Sequence, residues 1–188
     1  MSSHHIVREK QEPALLILEL GLFEEEHLGQ LLEWSPTVLV NDASAEKLHS
    51  LGIKFDMLLT QTEDTFLQEN LRVILMEEDA LQTGLQFLIH EKYPAVNIIA
   101  GKRSIEDFLP YADQITLVVF SNNQKIYPVS SGFSKWKAAD EIIEIFQIPA
   151  DLKQSGLKQL NGHQFKTTSD SFFTLKFAQQ FLFISEEI

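Results

Sequence analysis

The sequence contains no cysteine in its 188 residues. This absence excludes disulfides, thiolate metal sites and cysteine nucleophiles. Glycine is also scarce, with 8 residues, and none of them belongs to a GxGxxG or GxxxxGK[ST] loop of the kind that cradles phosphates. The GxSxG and HExxH motifs of hydrolases and metalloproteases are missing too. The function therefore has to be sought outside these common catalytic signatures.

Long apolar runs and a basic surplus are missing as well. No apolar stretch reaches the ~20 residues that cross a bilayer. Met1–His5 leads into charged residues without an apolar segment, so we expect a cytoplasmic protein. His4 and His5 could bind a metal as a pair, or they could simply belong to a frayed terminus.

The charge balance is strongly acidic. The chain has 27 acidic residues and 15 scattered basic ones, which gives a formal net charge of −12. Such a chain repels phosphate backbones and anionic lipids. We therefore expect neither nucleic acid nor a membrane as a partner.

The first half of the chain alternates between strand and helix patterns. The apolar run Ala14–Leu20 predicts a strand buried on both faces, and Glu24–Trp34 has leucines at helical spacing. This alternation predicts a mostly parallel sheet with flanking helices and a ligand site at the carboxyl ends of its strands. Further strands are predicted at Thr37–Val40, Asp56–Thr60, Leu71–Met76 and Val96–Ala100, and further helices are predicted after the caps Ser44 and Asp79.

The second half has only strand patterns. Ile115–Phe120 and Lys125–Val129 flank a polar turn and predict a hairpin, and Phe173, Leu175 and Phe177 alternate with polar residues as in a half-buried strand. Further strands are predicted at Glu141–Ile148 and Phe181–Ile184. We therefore predict an α/β fold in two domains. A Rossmann-like, mostly parallel sheet with flanking helices occupies residues 1–112, and a C-terminal antiparallel β-sandwich occupies residues 113–188.

A more specific pattern lies between Val38 and Asp64. Asp42 follows a strand, Gly52–Asp56 (GIKFD) forms a turn, and Thr60–Asp64 (TQTED) ends the next strand. This order resembles the thiamine pyrophosphokinases, which carry Asp-Gly-Gly, Gly-Ile-x-Pro-Asp and Gly-Asp-x-Asp-Ser at these places.

The resemblance continues in order along the chain. Glu78–Gln82 stands where the family has Lys-Asp-x-Thr-Asp, and Ile98–Arg103 leads into the place of its Gly-Gly-Arg-x-Asp-His loop. Gly132–Trp136 also looks like bacterial members. The resemblance implies an α/β nucleotide-binding domain joined to a β-sandwich, and a homodimer with the ligand cleft between subunits. The implied reaction moves a diphosphate from ATP to thiamine with the help of Mg²⁺.

The resemblance also assigns candidate site residues. Three carboxylates stand at catalytic and Mg²⁺-binding positions, and four further residues stand where ATP or thiamine would bind. The catalytic and metal candidates are Asp42, Glu63 and Asp79; the ligand-binding candidates are Asp64, Lys102, Arg103 and Trp136.

The departures from the family pattern fall on the chemistry. Gln61 replaces the first Asp of the second motif, and Glu78 reverses the charge of the motif Lys. Ala43 and Ser44 replace glycines, and their side chains would crowd a nucleotide that approaches closely. Phosphoryl transfer depends on positioning and on neutralised charge. We therefore expect diphosphate transfer to be reduced or lost.

Plainer interpretations of the same residues stay open. Asp42, Asp64 and Asp79 can cap helices or turns. The Lys102–Arg103 pair can lie in a solvated loop, and Trp136 can pack in a core or an interface. The alternative function is a non-catalytic protein that binds a small ligand or a partner on the same fold. An unrelated Rossmann-like binding module is the third interpretation, because the glycines are missing.

Overall fold

The computed structural model describes residues 10, 12–62, 68, 70–77 and 79–188. In that part of the chain there are three α-helices, two short 3-10 helices and fourteen strands. None of these helices is long and apolar enough to cross a membrane. The α-helices are α1, Glu25–Leu32; α2, Asp42–Ser50; and α3, Ala80–His90.

The strands of the first half match the predicted alternation. The 3-10 helices, Ile105–Asp107 and Leu109–Tyr111, follow the fifth strand. The five strands of the first half are β1, Ala14–Glu19; β2, Val38–Asn41; β3, Met57–Thr60; β4, Arg72–Leu75; and β5, Ala95–Ala100.

The second half is built from strands, as the sequence predicts. The hairpin is confirmed, because the first two strands of this half pair antiparallel. The strands are β6, Thr116–Ser121; β7, Gln124–Val129; β8, Phe133–Lys137; β9, Ile142–Ile145; β10, Lys153–Ser155; β11, Leu157–Gln159; β12, Gln164–Thr167; β13, Ser171–Lys176; and β14, Leu182–Glu187.

One large sheet of eleven strands runs through both halves, in the order β11-β12-β9-β14-β7-β6-β5-β1-β2-β3-β4. The six strands from β4 to β6 are parallel, and those beyond β6 are antiparallel. Because β6 pairs with β5, the sheet continues across residues 112 and 113. The fold is therefore mixed α/β, and the division into two separate domains stays a prediction.

A second sheet has three strands in the order β10-β13-β8. It shares a buried cluster with the antiparallel part of the large sheet: Phe173 and Leu175 from β13 pack with Ile143 and Ile184. This cluster accounts for the alternation seen near the end of the sequence. β8, β10, β11 and β12 were not predicted, because each is short and has no clear apolar alternation.

Strand β1 is the centre of the N-terminal core, and its burial on both faces is confirmed. Leu15 and Ile17 pack into a cluster with α1 and α2, while Leu16 faces the opposite cluster with α3. Burying both faces holds β1 rigidly. Its last residue, Glu19, is exposed at the carboxyl edge of the sheet.

Candidate functional site

The carboxyl edge beside β1 is where the topology forms a crevice. The chain passes from β1 to β2 on one side and returns at β5 on the other. Ligands of open α/β sheets bind at such a switch point. Two cavities lie there, which we call the polar cleft and the apolar cleft, and Glu19 and Lys102 line both.

The polar cleft has a volume of about 350 Å³. Its charged and polar lining comes from the ends of β1 and β2 and from the loop after β5. The polar lining residues are Glu19, Asn41, Lys102, Arg103, Ser104 and Asp107. The cleft therefore brings together Lys102 and Arg103, two of the predicted ligand-binding residues.

Asp79 and Arg103 are brought together, but they neutralise each other. Arg103 donates to both carboxylate oxygens of Asp79, at 2.7 and 3.2 Å. Asp79 also accepts the backbone amides of Leu81 and Gln82 at the start of α3, at 3.2 and 3.3 Å. The plainer interpretation of Asp79 as a helix cap is thus confirmed.

The protonation of Asp79 follows from these contacts. Partial burial by itself would raise the pKa of the carboxyl group, but Arg103 and the two α3 amides outweigh it and lower the pKa below its ordinary value. The group is therefore a carboxylate at neutral pH, with its oxygens already engaged. It has little capacity left to hold a metal ion or to move a proton.

Asp42 lies at the first position of α2 and is exposed. It is not among the residues that line the two clefts. The predicted cap at Ser44 is wrong: Asn41 caps α2, and its Oδ1 accepts the Ser44 amide at 3.0 Å. The Asn41 amide group also donates to the Leu18 carbonyl at 2.8 Å, which ties the end of β2 to β1.

Lys102 is the cation that remains available at this edge. It is exposed, and no ion pair engages it within the described part of the chain. The predicted role of Lys102 in binding a ligand stays a prediction, and its position between the two clefts is compatible with it.

Glu19 is a site residue that the sequence analysis missed. Gly101 has a φ of +59°, and a Cβ built on it would lie 2.1 Å from the Glu19 carboxylate. The carboxylate therefore covers the glycine at the centre of the crevice. The sequence did contain a signal for it: Glu19 is the single charged residue in the apolar run of β1. A carboxylate at that position has to point out of the core, towards the carboxyl edge of the sheet.

The second motif of the resemblance is only partly described. Gln61 and Thr62 follow β3 and are exposed, and the Thr62 amide donates to the Thr60 hydroxyl at 3.2 Å. Two of the predicted site residues, Glu63 and Asp64, lie outside the described residues, as does Glu78.

Trp136 lies away from the residues that line the clefts. It sits on β8 with 53% of its surface exposed, directly across from Phe172 on β13, which is 63% exposed. The interpretation that Trp136 packs in the core is therefore wrong. Packing in an interface and stacking on a ligand both stay predictions.

The described residues do not fit a Mg²⁺ site. Within the ranges given above, no three carboxylate or imidazole side chains lie close enough to hold a metal ion. Mg²⁺ requires a near-octahedral set of oxygen ligands. Asp42 and Asp79 do not converge on one, because Asp79 is paired with Arg103 and Asp42 lies outside both clefts.

The fold and the crevice define an α/β protein with two cavities at the switch point of an open sheet. Comparison with solved structures gives the class more closely. Thiamine pyrophosphokinase from Bacillus subtilis matches with a TM-score of 0.60 and 16% identity, over 93% of this chain and 98% of that one. The Candida albicans enzyme matches with a TM-score of 0.67 and 9% identity, over 94% of this chain and 90% of that one. Yeast thiamin pyrophosphokinase also matches with a TM-score of 0.67, with 10% identity over 97% of this chain and 88% of that one.

The chain therefore has the thiamine pyrophosphokinase fold, and the resemblance found in the sequence is confirmed at that level. No protein-family model matches the chain. No curated protein matches it in sequence. At these identities the likeness establishes the fold, and the chemistry has to be argued from the residues of the site.

Proposed function

We propose that this chain is a thiamine pyrophosphokinase-like protein whose transfer of diphosphate from ATP to thiamine is very slow or lost. The observation that carries the proposal is the Glu19 carboxylate against Gly101 at the centre of the crevice. A polyphosphate placed there would meet a negative charge where a close backbone approach is needed. Two like charges ~4 Å apart repel by about 4 kcal/mol at an effective dielectric near 20.

The nearby cations do not offset this repulsion. Arg103 is committed to Asp79, which leaves Lys102 as the free positive charge of the polar cleft in the described chain. The sequence adds Gln61 and Glu78 at positions where the family pattern has an Asp and a Lys. ATP and Mg²⁺ would be the cofactors of any residual activity, and thiamine its acceptor.

We also propose that the chain forms a homodimer. The outer face of the three-stranded sheet exposes two large apolar side chains side by side, Trp136 and Phe172, and adjacent exposed aromatics are typical of interaction surfaces. On strands β8, β10 and β13, which carry no Asp or Glu, Lys153 and Lys176 are exposed and lie directly across from each other. Lys135 and Lys137 of β8 are instead paired with Glu186 between the sheets. A second, acidic copy is therefore a complementary partner for this face.

The proposal on activity is tested first by binding. Thermal unfolding is followed with ATP and Mg²⁺, with thiamine and with thiamine diphosphate. A ligand at a hundred times its dissociation constant stabilises the folded protein by about 2.7 kcal/mol, so ATP binding would be visible as a higher unfolding temperature. We expect no shift with millimolar ATP.

Two variants sharpen this test. Glu19→Ala should raise the affinity for ATP at least tenfold, because it opens the space over Gly101 and removes the repelling charge. Glu46→Ala removes an exposed carboxylate of α2 that lines neither cleft, and it should change nothing. Tight ATP binding by the unmodified chain would overturn the proposal.

A further inference from the structure

The apolar cleft is the larger of the two cavities at the switch point, with a volume of about 690 Å³. Its walls come from the end of β1, the turn into α1 and the ends of β5 and β6. The apolar wall residues are Leu20, Leu22, Phe23, Ile99 and Phe120. Concave, mostly apolar cavities with a few polar groups are the usual form of small-molecule sites.

The turn from β1 into α1 shapes this cleft. The Phe23 amide donates to the Leu20 carbonyl at 2.7 Å, and Gly21 between them has a φ of +48°. The Lys47 ammonium donates to the Gly21 carbonyl at 3.0 Å and holds the turn from α2. The cleft mouth is therefore built on a fixed backbone.

The fixed turn directs its two apolar side chains differently. Phe23 points inward and packs edge-to-face on Phe120, with ring centroids 5.8 Å apart. Leu22 is 100% exposed at the mouth of the cleft. A fully exposed leucine beside an apolar cavity gains most when an apolar ligand covers it.

The charged groups around the cleft are mostly acidic. Glu19 and Glu24 line it, and among the described lining residues Lys102 is the one Lys or Arg. The Lys47 ammonium lies beside the cleft but is already engaged by the Gly21 carbonyl. A helix N-terminus ordinarily attracts anions, but α1 begins with Glu25 and Glu26. The entrance therefore disfavours an anionic ligand.

The two carboxylates differ in what they already contact. The Glu24 carboxylate lies 3.8 Å from the His27 ring, which also lines the cleft. For Glu19, no hydrogen bond or ion pair is found with any described residue. A ligand with N–H donors would supply what the Glu19 oxygens lack, whereas a quaternary nitrogen has no proton to donate.

We propose that the apolar cleft binds an aralkylamine, a flat aromatic ring joined by a short chain to a primary or secondary ammonium group. The ring lies against Phe23 and Phe120 under Leu22, and the ammonium group donates to Glu19. This inference rests on the proposed function in one respect: the crevice no longer accepts a polyphosphate.

The experiment uses probes that differ at one group. Calorimetric titration compares tryptamine with tryptophol, its neutral alcohol, with indole-3-propionate, its anionic counterpart, and with the N,N,N-trimethyl form of tryptamine. We expect tryptamine to bind at least tenfold more tightly than each of the other three. Equal or tighter binding of the anion or of the quaternary compound would overturn the proposal, as would the absence of tryptamine binding.

Variants then locate the site. Glu19→Gln should remove the advantage of tryptamine over tryptophol and leave tryptophol unchanged. Leu22→Ser, at a fully exposed position that is not needed for folding, should weaken both by several-fold. Glu46→Gln is the matched control and should have no effect. Unchanged tryptamine binding in Glu19→Gln would refute the assigned role.

An ATP titration on the same sample separates the two proposals. Absence of ATP binding together with absence of tryptamine binding would overturn the aralkylamine site alone. Tight ATP binding would overturn the proposed loss of polyphosphate binding, on which this inference rests.

Discussion

At the residue scale, Asp79 shows how a candidate catalytic carboxylate is committed to structure. It caps α3 and pairs with Arg103 at the same time. We predict that Asp79→Ala lowers the free energy of unfolding by about 1 kcal/mol at neutral pH, mainly through the lost cap. Arg103→Gln should cost less than ~1 kcal/mol, because the pair is partly exposed to solvent. Urea denaturation measures both.

The pH dependence of Asp79 gives a control for that prediction. Because its pKa is lowered in the folded protein, its stabilisation is complete above the ordinary carboxyl range and is lost as the pH falls through the lowered pKa. The difference between the unmodified chain and Asp79→Asn, which keeps a capping side chain, should therefore be smaller at pH 3 than at pH 7. A difference that is the same at both pH values would contradict the ion pair.

Prediction from sequence at this scale succeeded for local contacts and failed for distant ones. The cap at Asp79 follows from its place just before an apolar helix, so it was among the interpretations. Its pairing with Arg103 spans 24 residues and needs the crossover from α3 to β5. The contact of Glu19 with Gly101 likewise depends on two strands becoming neighbours, which no local pattern reports.

At the element scale, two helical glycines have opposite surroundings. A Cβ on Gly29 in α1 would meet nothing within 4 Å, whereas a Cβ on Gly84 in α3 would lie 2.9 Å from a methyl group of the buried Leu16. We predict that Gly29→Ala stabilises the chain by up to ~1 kcal/mol through helix propensity. Gly84→Ala should destabilise it by about 1–2 kcal/mol, because overpacking outweighs that gain.

Thermal or urea unfolding of the two variants tests the packing of α3 on β1. The two changes are chemically the same, so each serves as the control for the other. Stabilisation by Gly84→Ala would show that α3 does not approach β1 as closely as described.

The two sheets are joined by a nearly buried ion cluster around Glu186 of β14. Its side chain is 6% exposed, its oxygens face the ammonium groups of Lys135 and Lys137 of β8, and the Lys137 distance is 2.9 Å. Burial would raise the pKa of Glu186, but the two lysines outweigh it and lower the pKa below its ordinary value. The Tyr127 hydroxyl donates to the same carboxylate at 3.3 Å.

We predict that Glu186→Gln lowers the free energy of unfolding by about 2 kcal/mol at neutral pH, because it leaves the partly buried Lys135 without a counter-charge and Lys137 with Glu141 alone. The stabilisation should be lost as the pH falls through the lowered pKa, since the carboxylate must then be protonated. The neighbouring Glu187→Gln, at an exposed position, should change stability by less than ~0.5 kcal/mol. Equal stability of the two variants in urea would contradict the cluster.

At the scale of the whole molecule, the exposed aromatic pair predicts the assembly. Light scattering at micromolar concentration should show a dimer, and Trp136→Ser combined with Phe172→Ser should shift it to a monomer. Trp34→Ser is the matched control, because Trp34 is 68% exposed but lies outside the three-stranded sheet. A monomeric unmodified chain would contradict the proposed homodimer.

The α/β half of the fold was predictable from the sequence because each strand there is a compact apolar run. In the second half the hairpin, β9 and the last two strands were predictable, whereas short strands such as β10 and β11, of three residues each, were not. Most phenylalanines of this half belong to its own core, since Phe165, Phe173, Phe177 and Phe183 are all buried within the chain. Pairings such as β9 with β14 join distant segments, and turn chemistry does not report them.

The central claim is that the chain keeps the thiamine pyrophosphokinase fold but transfers diphosphate from ATP to thiamine very slowly or not at all. The direct measurement is the rate of thiamine diphosphate formation by the purified chain with millimolar ATP, Mg²⁺ and thiamine. A repulsion of about 4 kcal/mol lowers a rate roughly a thousandfold, so we predict at most about 0.001 turnovers per second. Turnover near ~1 per second, within the ordinary enzyme range, would contradict the account and would show that Glu19 and the Arg103–Asp79 pair do not block the reaction.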